Sequence, residues 1–120
     1  MMLKMMKGKL HRAAVTQTEP DYSGSLTVDE NLLEAAGILP HEAVLVADCE
    51  NGNRFETYII KGERGSGEIS LNGAAARRAH LGDQLIICTY APMSDEEIAA
   101  YKPKVILVNE SNGIKEIKKF

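Results

Sequence analysis

The chain has no excess of basic residues. Fourteen Lys and Arg stand against 17 Asp and Glu, for a formal charge of -3 and a pI near 5.6. A protein that grips a phosphate backbone needs Lys and Arg in surplus on one face, so nucleic acid is not an expected partner. Long apolar runs are also missing. No stretch approaches the roughly 18 residues of a membrane span, and in MMLKMMKGKLHRAAV the residues Lys4, Lys7 and Lys9 interrupt each apolar run before an export signal could form. A cytoplasmic location is the expectation, with no membrane partner. Cysteines number two, Cys49 in VLVADCE and Cys88 in LIICTY, with no CxxC or His-Cys spacing. Buried reduced thiols are expected rather than a disulfide or a metal pair. The three histidines, His11, His41 and His80, have no spacing that sets two on one face near an acid. Neither a metal site nor a histidine-based hydrolase triad is supported.

What remains is a globular composition, 44% hydrophobic and 26% charged over 120 residues. That is one domain's worth of chain, 1-120, without repeat, linker or low-complexity tract. It is small for an enzyme that must enclose a substrate, so a site shared between subunits is expected. Short runs rich in Val, Ile, Thr or Tyr and bounded by Gly, Asn, Asp or Pro predict strands over 9-18, 25-28, 43-50, 54-61, 68-72, 84-90 and 104-109. Asn51-Gly52 offers positive-φ residues for a tight hairpin between the third and fourth of these. Short helices are expected where Asp29 caps ENLLEAA before Gly37, over Ala74 to Ala79, and where Ser94 caps DEEIAAY before Pro103. This pattern predicts a mainly β fold, a small closed barrel with corner helices, because closure removes exposed strand edges.

Several local features could carry chemistry. Lys9 and His11 are two apart and share a strand face, as a small cationic patch or as ordinary solvated groups. In RFETYIIK, alternation puts Arg54, Glu56 and Tyr58 on one face and Phe55, Thr57 and Ile59 on the other. Arginine can fork a carboxylate and a tyrosine can donate a proton, but a site using both Thr57 and Tyr58 needs a bulge, a strand end or a partner subunit. In SLNGAAARRA, Asn72-Gly73 followed by Ala74 and Ala75 leaves backbone N–H groups at a helix start uncovered, which suits a carboxylate or simply a tight turn. Gly-Ser occurs at both 24-25 and 65-66, and local pattern treats both serines as turn residues.

The combination is more specific than its parts. GKLHRAAVT at 8-16, YSGS at 22-25, AAGILPHEAV at 35-44, NGNRFETYII at 51-60, ERGSG at 63-67, NGAAARRAHLGD at 72-83 and DEE at 95-97 together resemble the bacterial aspartate 1-decarboxylase family, in one order from about residue 1 to residue 105. The resemblance implies a double-psi β-barrel, a homotetramer with sites at subunit interfaces, and conversion of L-aspartate to β-alanine and carbon dioxide for pantothenate synthesis. It implies self-cleavage at Gly24-Ser25 into 1-24 and 25-120, spontaneously or with a maturation helper protein, with Ser25 becoming a pyruvoyl group. No metal and no pyridoxal phosphate are implied. The chemistry is reasonable on its own terms. Loss of carbon dioxide from an amino acid leaves electrons on Cα that no side chain can accept, whereas a carbonyl joined to the substrate amine can.

By residue, the resemblance assigns Gly24, Ser25 and Thr57 to processing, with Thr57 hydrogen-bonded to the Gly24 carbonyl. Glycine at 24 would permit a strained backbone at the cut. Ser25 and Tyr58 are assigned to catalysis, Tyr58 as proton donor to Cα. Lys9, Arg54, Thr57, Asn72, Gly73, Ala74 and Ala75 are assigned to substrate binding, with His11 and Tyr22 behind them. Arg77 and Arg78 are left without a catalytic assignment. The competing expectations are a non-catalytic barrel that binds or assembles, and a pyruvoyl decarboxylase for another amino acid.

Overall fold

A computed structural model describes residues 1–120. Its strands are β1 (Met2–Ala14), β2 (Gln17–Glu19), β3 (Ser25–Asp29), β4 (Ala43–Asp48), β5 (Arg54–Gly62), β6 (Ile69–Asn72), β7 (Gln84–Ser94), β8 (Lys104–Val108) and β9 (Ile114–Ile117). Two short α-helices, α1 (Glu30–Ala36) and α2 (Asp95–Ala100), and a 3-10 helix (Gly73–Arg77) turn its corners. The strands form one sheet in the order β2-β6-β3-β5-β4-β7-β1-β8-β9. The fold is mainly β and of the small double-psi barrel kind, but the sheet keeps two ends, β2 and β9, and is not strictly closed. These ends are only three and four residues long, which limits the open edge they present.

Alternation along the strands builds the core. Leu10, Leu26, Val28, Val46, Ile59, Ile69, Leu71, Leu85, Ile87 and Ile106 are fully buried and form one apolar cluster with the inner face of α1. Asp29 caps α1 through its side chain, which accepts from the Asn31 N–H at 2.8 Å, and Gly37 ends the helix at φ 68. Gly8 lets α1 pack close, since a Cβ there would lie 2.4 Å from the Ala36 carbonyl oxygen.

Three local expectations change. β1 starts at Met2 rather than residue 9, because MMLKMM pairs with the far half of β7, from Met2 opposite Ser94 to Met6 opposite Tyr90. It ends at Ala14, where the chain changes partners: the Val15 N–H bonds Asp83 and the Thr16 N–H bonds Ile69. The β4–β5 connection is not a two-residue turn. Asp48 and Asn53 close it (2.9 Å), only Gly52 has a positive φ (75), and Asp48 and Asn51 side chains bond the Glu50 and Asn53 N–H groups. The cysteines are free as expected, but Cys49 is exposed in this connection and Cys88 is half-buried on the outer sheet face.

Candidate active site

β3 lies between β5 and β6, and its register builds the site. It runs antiparallel to β6, with Ser25 opposite Asn72 and Leu26 opposite Leu71, and parallel to β5, with Leu26 level with Ile59. Level residues on adjacent strands share a face, and successive residues alternate. Leu26, Ile59 and Leu71, all at 0% exposure, therefore mark the core face. The adjacent residues Tyr58, Ser25 and Asn72 form a row on the opposite face. Together with Tyr22 and Thr27 they line a cavity of about 430 Å³. Ser25 is buried, and its Oγ accepts a hydrogen bond from Asn72 Nδ2 at 3.0 Å. The same nitrogen donates to Thr27 Oγ1 at 3.2 Å. Asn72 makes no side-chain cap on the 3-10 helix that follows it.

The Gly24 side of the row opens onto a second cavity of about 420 Å³, whose lining includes Gly24, Thr57, Tyr58, Ala74, Ala75 and Arg78. β5 is paired with β4 from Arg54 to Tyr58, but with β3 only from Ile59 onward. The free edge of its first half faces this cavity, so Thr57 and Tyr58, on opposite faces of the strand, both border it. The facing conflict expected from alternation is resolved by a strand edge. No hydrogen bond joins Thr57 to Gly24, although they line the same space. The tight packing falls on Gly73, at φ 63, where a Cβ would lie 2.5 Å from Gly24 Cα and 2.7 Å from its nitrogen. Gly24 itself has no positive φ, and a Cβ there would meet only the Asn72 oxygen, at 3.8 Å. Glycine is thus demanded at 73 by close approach and positive φ.

Lys9, His11 and Arg54 are brought to one face but not into either cavity. Arg54, Ala47, Ile86 and His11 are level across β5, β4, β7 and β1, and Glu56, Leu45, Cys88 and Lys9 form the next row. Three strand spacings, about 14 Å, separate β5 from β1. Tyr58 belongs to this same outer face, level with Ala43. His11 is held below its usual pKa by burial and by Lys9, Arg12 and Lys118, and its Nδ1 is buried without a partner. These neighbours and its burial favour the uncharged imidazole. Thr27 is the site residue that sequence reasoning missed, although its two-residue spacing from Ser25 already placed both on one face. Arg78, set aside from its sequence, borders the Gly24 cavity. No group of three or more His, Cys, Asp and Glu side chains is placed to hold a metal ion, and no helix is long and apolar enough to cross a membrane.

Comparison with known proteins matches the chain to one family. The family model described as aspartate decarboxylase matches residues 1–115. A protein named aspartate 1-decarboxylase from Cupriavidus necator is 72% identical over 116 residues, covering 97% of each chain. Those of the same name from Ralstonia nicotianae and Bordetella pertussis are 62% identical over 118 residues and 58% identical over 116. The first of these two alignments covers 98% of each chain, and the second 97% of this chain and 95% of its relative.

Proposed function

The chain belongs to the aspartate decarboxylase family, and from that premise we propose that it converts L-aspartate to β-alanine and carbon dioxide with a pyruvoyl group made from its own Ser25. The observation that carries this reading is the seating of Ser25 between Tyr58 and Asn72, with Gly24 held against Gly73. The residues present fit such a group. Ser25 is buried, one polar side chain holds its Oγ, and a cavity opens beside it.

In maturation, Ser25 Oγ attacks the Gly24 carbonyl carbon, the amide C–N bond breaks, and an ester and a free amine form. Loss of the Ser25 Cα proton expels the Gly24 carboxylate, and water then replaces the nitrogen as ammonia leaves. Asn72 orients the hydroxyl. Thr57, bordering the cavity at Gly24, is the side chain available to donate to the carbonyl oxygen as it gains charge. When present, the pyruvoyl group supplies a carbonyl that condenses with the substrate amine and takes up the electron pair left by carbon dioxide. Tyr58, which lines the Ser25 cavity, returns a proton to Cα, and Ala74 and Ala75, which border the Gly24 cavity, follow Gly73 in the segment that binds substrate.

Lys9 and Arg54 serve as carboxylate ligands from a neighbouring copy in a homotetramer. Support for this lies in their position on an outer face with the incompletely covered Ala43, Leu45, Ala47 and Ile86, apart from the cavities of their own chain. The enzyme works in the cytoplasm, its β-alanine serving pantothenate and coenzyme A synthesis.

Intact-mass spectrometry tests the reading. Two chains are expected, residues 1–24 and residues 25–120, the second lighter by one ammonia than a serine-started fragment. One uncut chain after prolonged warming, with or without cell extract to supply a helper, counts against self-processing and favours a non-catalytic barrel. Ser25→Ala abolishes cleavage and carbon dioxide release. Tyr58→Phe keeps cleavage and loses most turnover, and normal turnover would remove it from the acid role. β-Alanine release from L-aspartate should exceed turnover of L-glutamate, and light scattering should give the mass of four protomers per particle.

A further inference from the structure

We infer that Arg78 is a substrate-binding residue of this site, holding the carboxylate of aspartate that is kept rather than the one that is lost. This rests on the reading that the chemistry occurs at Gly24 and Ser25. Arg78 is the one cationic side chain lining the cavity that also holds Gly24, Thr57, Tyr58, Ala74 and Ala75. Its guanidinium enters no ion pair, not even with Glu56, the only carboxylate bordering the same space. Its main chain is anchored on both sides of the peptide. The N–H donates to the Ala75 carbonyl at 3.0 Å, and the carbonyl accepts from Asn53 Nδ2 at 3.0 Å. The root of the side chain is thereby tied to the 3-10 helix and to the β4–β5 connection, which flank the cavity. Arg77, its neighbour, is exposed like Arg78 but borders neither cavity of the site.

The chemistry says which carboxylate such a cation should hold. The departing carboxylate loses its charge as carbon dioxide forms, so a cation on it would stabilise the ground state more than the transition state. The retained carboxylate keeps its charge throughout, and a cation there binds both states equally. It lowers KM without changing kcat. Arginine's planar fork suits a bidentate grip on that group. Lys9 and Arg54 line neither cavity, so Arg78 is the cation that each copy contributes to its own cavity.

Succinate, a dicarboxylate without an amine, probes this independently of pyruvoyl formation. Calorimetric titration of the full-length parent should detect binding, also in Ser25→Ala. Arg78→Gln should weaken it about tenfold, Arg78→Lys less, and Arg77→Gln not at all. With aspartate, Arg78→Gln should raise KM about tenfold with kcat within about twofold. Unchanged succinate affinity in Arg78→Gln, an equal loss in Arg77→Gln, or a fall in kcat alone would overturn the inference, as would absence of succinate binding to the parent. An uncut, inactive parent whose succinate binding still depends on Arg78 would sink the pyruvoyl reading and leave the carboxylate site standing.

Discussion

Two Gly-Ser pairs that look alike in the sequence have opposite fates in the fold. Ser66 is exposed and turns its hydroxyl to the Glu63 carbonyl at 2.6 Å, an ordinary turn bond. Ser25 is buried at the start of β3 with Asn72 on its oxygen. The Asn72 amide is shared with Thr27, so Thr27 steadies the group that steadies Ser25. Thr27→Val removes that acceptor while keeping the shape. A hydrogen bond worth about 1 kcal/mol predicts roughly fivefold slower cleavage, followed by mass spectrometry over time, with Thr27→Ser restoring the parent rate. Gly73→Ala is more severe, since its Cβ would fall 2.5 Å from Gly24 Cα and φ 63 disfavours any side chain. We expect lost or greatly slowed cleavage in a chain that still folds, checked by mass and by circular dichroism. The motif Asn-Gly was visible as a turn; that its glycine packs against Gly24 was not, because the two lie 49 positions apart.

Among the elements, the strand positions between 25 and 108, apart from residues 91–94 at the end of β7, and the helix caps were legible because alternation and capping are local. Ser94 and Glu97 form the full capping box expected of their spacing. The first half of β1 was not legible, since Met2 to Met6 become a strand only by pairing with β7. β9, at Ile114–Ile117, was equally silent: all four of its residues are exposed, so no buried face leaves a pattern. Asp29 shows how one residue can join elements. Besides capping α1, its carboxylate accepts from the Gly65 N–H at 3.0 Å and the Gly67 N–H at 2.8 Å, holding the ERGSG loop against the end of β3. Asp29→Ala leaves three N–H groups without this partner, and a loss of about 2–4 kcal/mol is expected. Urea unfolding of the uncleaved Ser25→Ala background measures it without interference from processing.

Across the whole molecule, distant segments are fastened by polar groups as well as by the core. Glu42, ahead of β4, pairs with Lys7 in the irregular middle of β1 at 2.7 Å and accepts from the buried Thr89 hydroxyl of β7 and the Leu39 N–H. Burial alone would push its carboxyl up, but the Leu39 N–H, the Lys7 ammonium and the Thr89 hydroxyl together hold it below the usual 4.5. A carboxyl lowered in the folded state adds stability that is full above its unfolded value and is lost as pH falls through the folded one. Unfolding free energy of the parent should therefore drop below about pH 4.5, and Glu42→Gln should flatten that part of the curve while costing stability at pH 7. Equal acid slopes in the two proteins would refute the role given to Glu42. The sequence alone determined the class of fold, the helix caps, the family motifs and the residues worth watching, because each depends on neighbours a few positions apart. Only the tertiary structure decided that Tyr58, Ser25 and Asn72 share one row, that Thr57 and Tyr58 meet at a strand edge, that Arg78 borders the Gly24 cavity, and that Lys9 and Arg54 do not. Those facts depend on strand register across long loops, where a shift of one residue would turn every side chain to the other face.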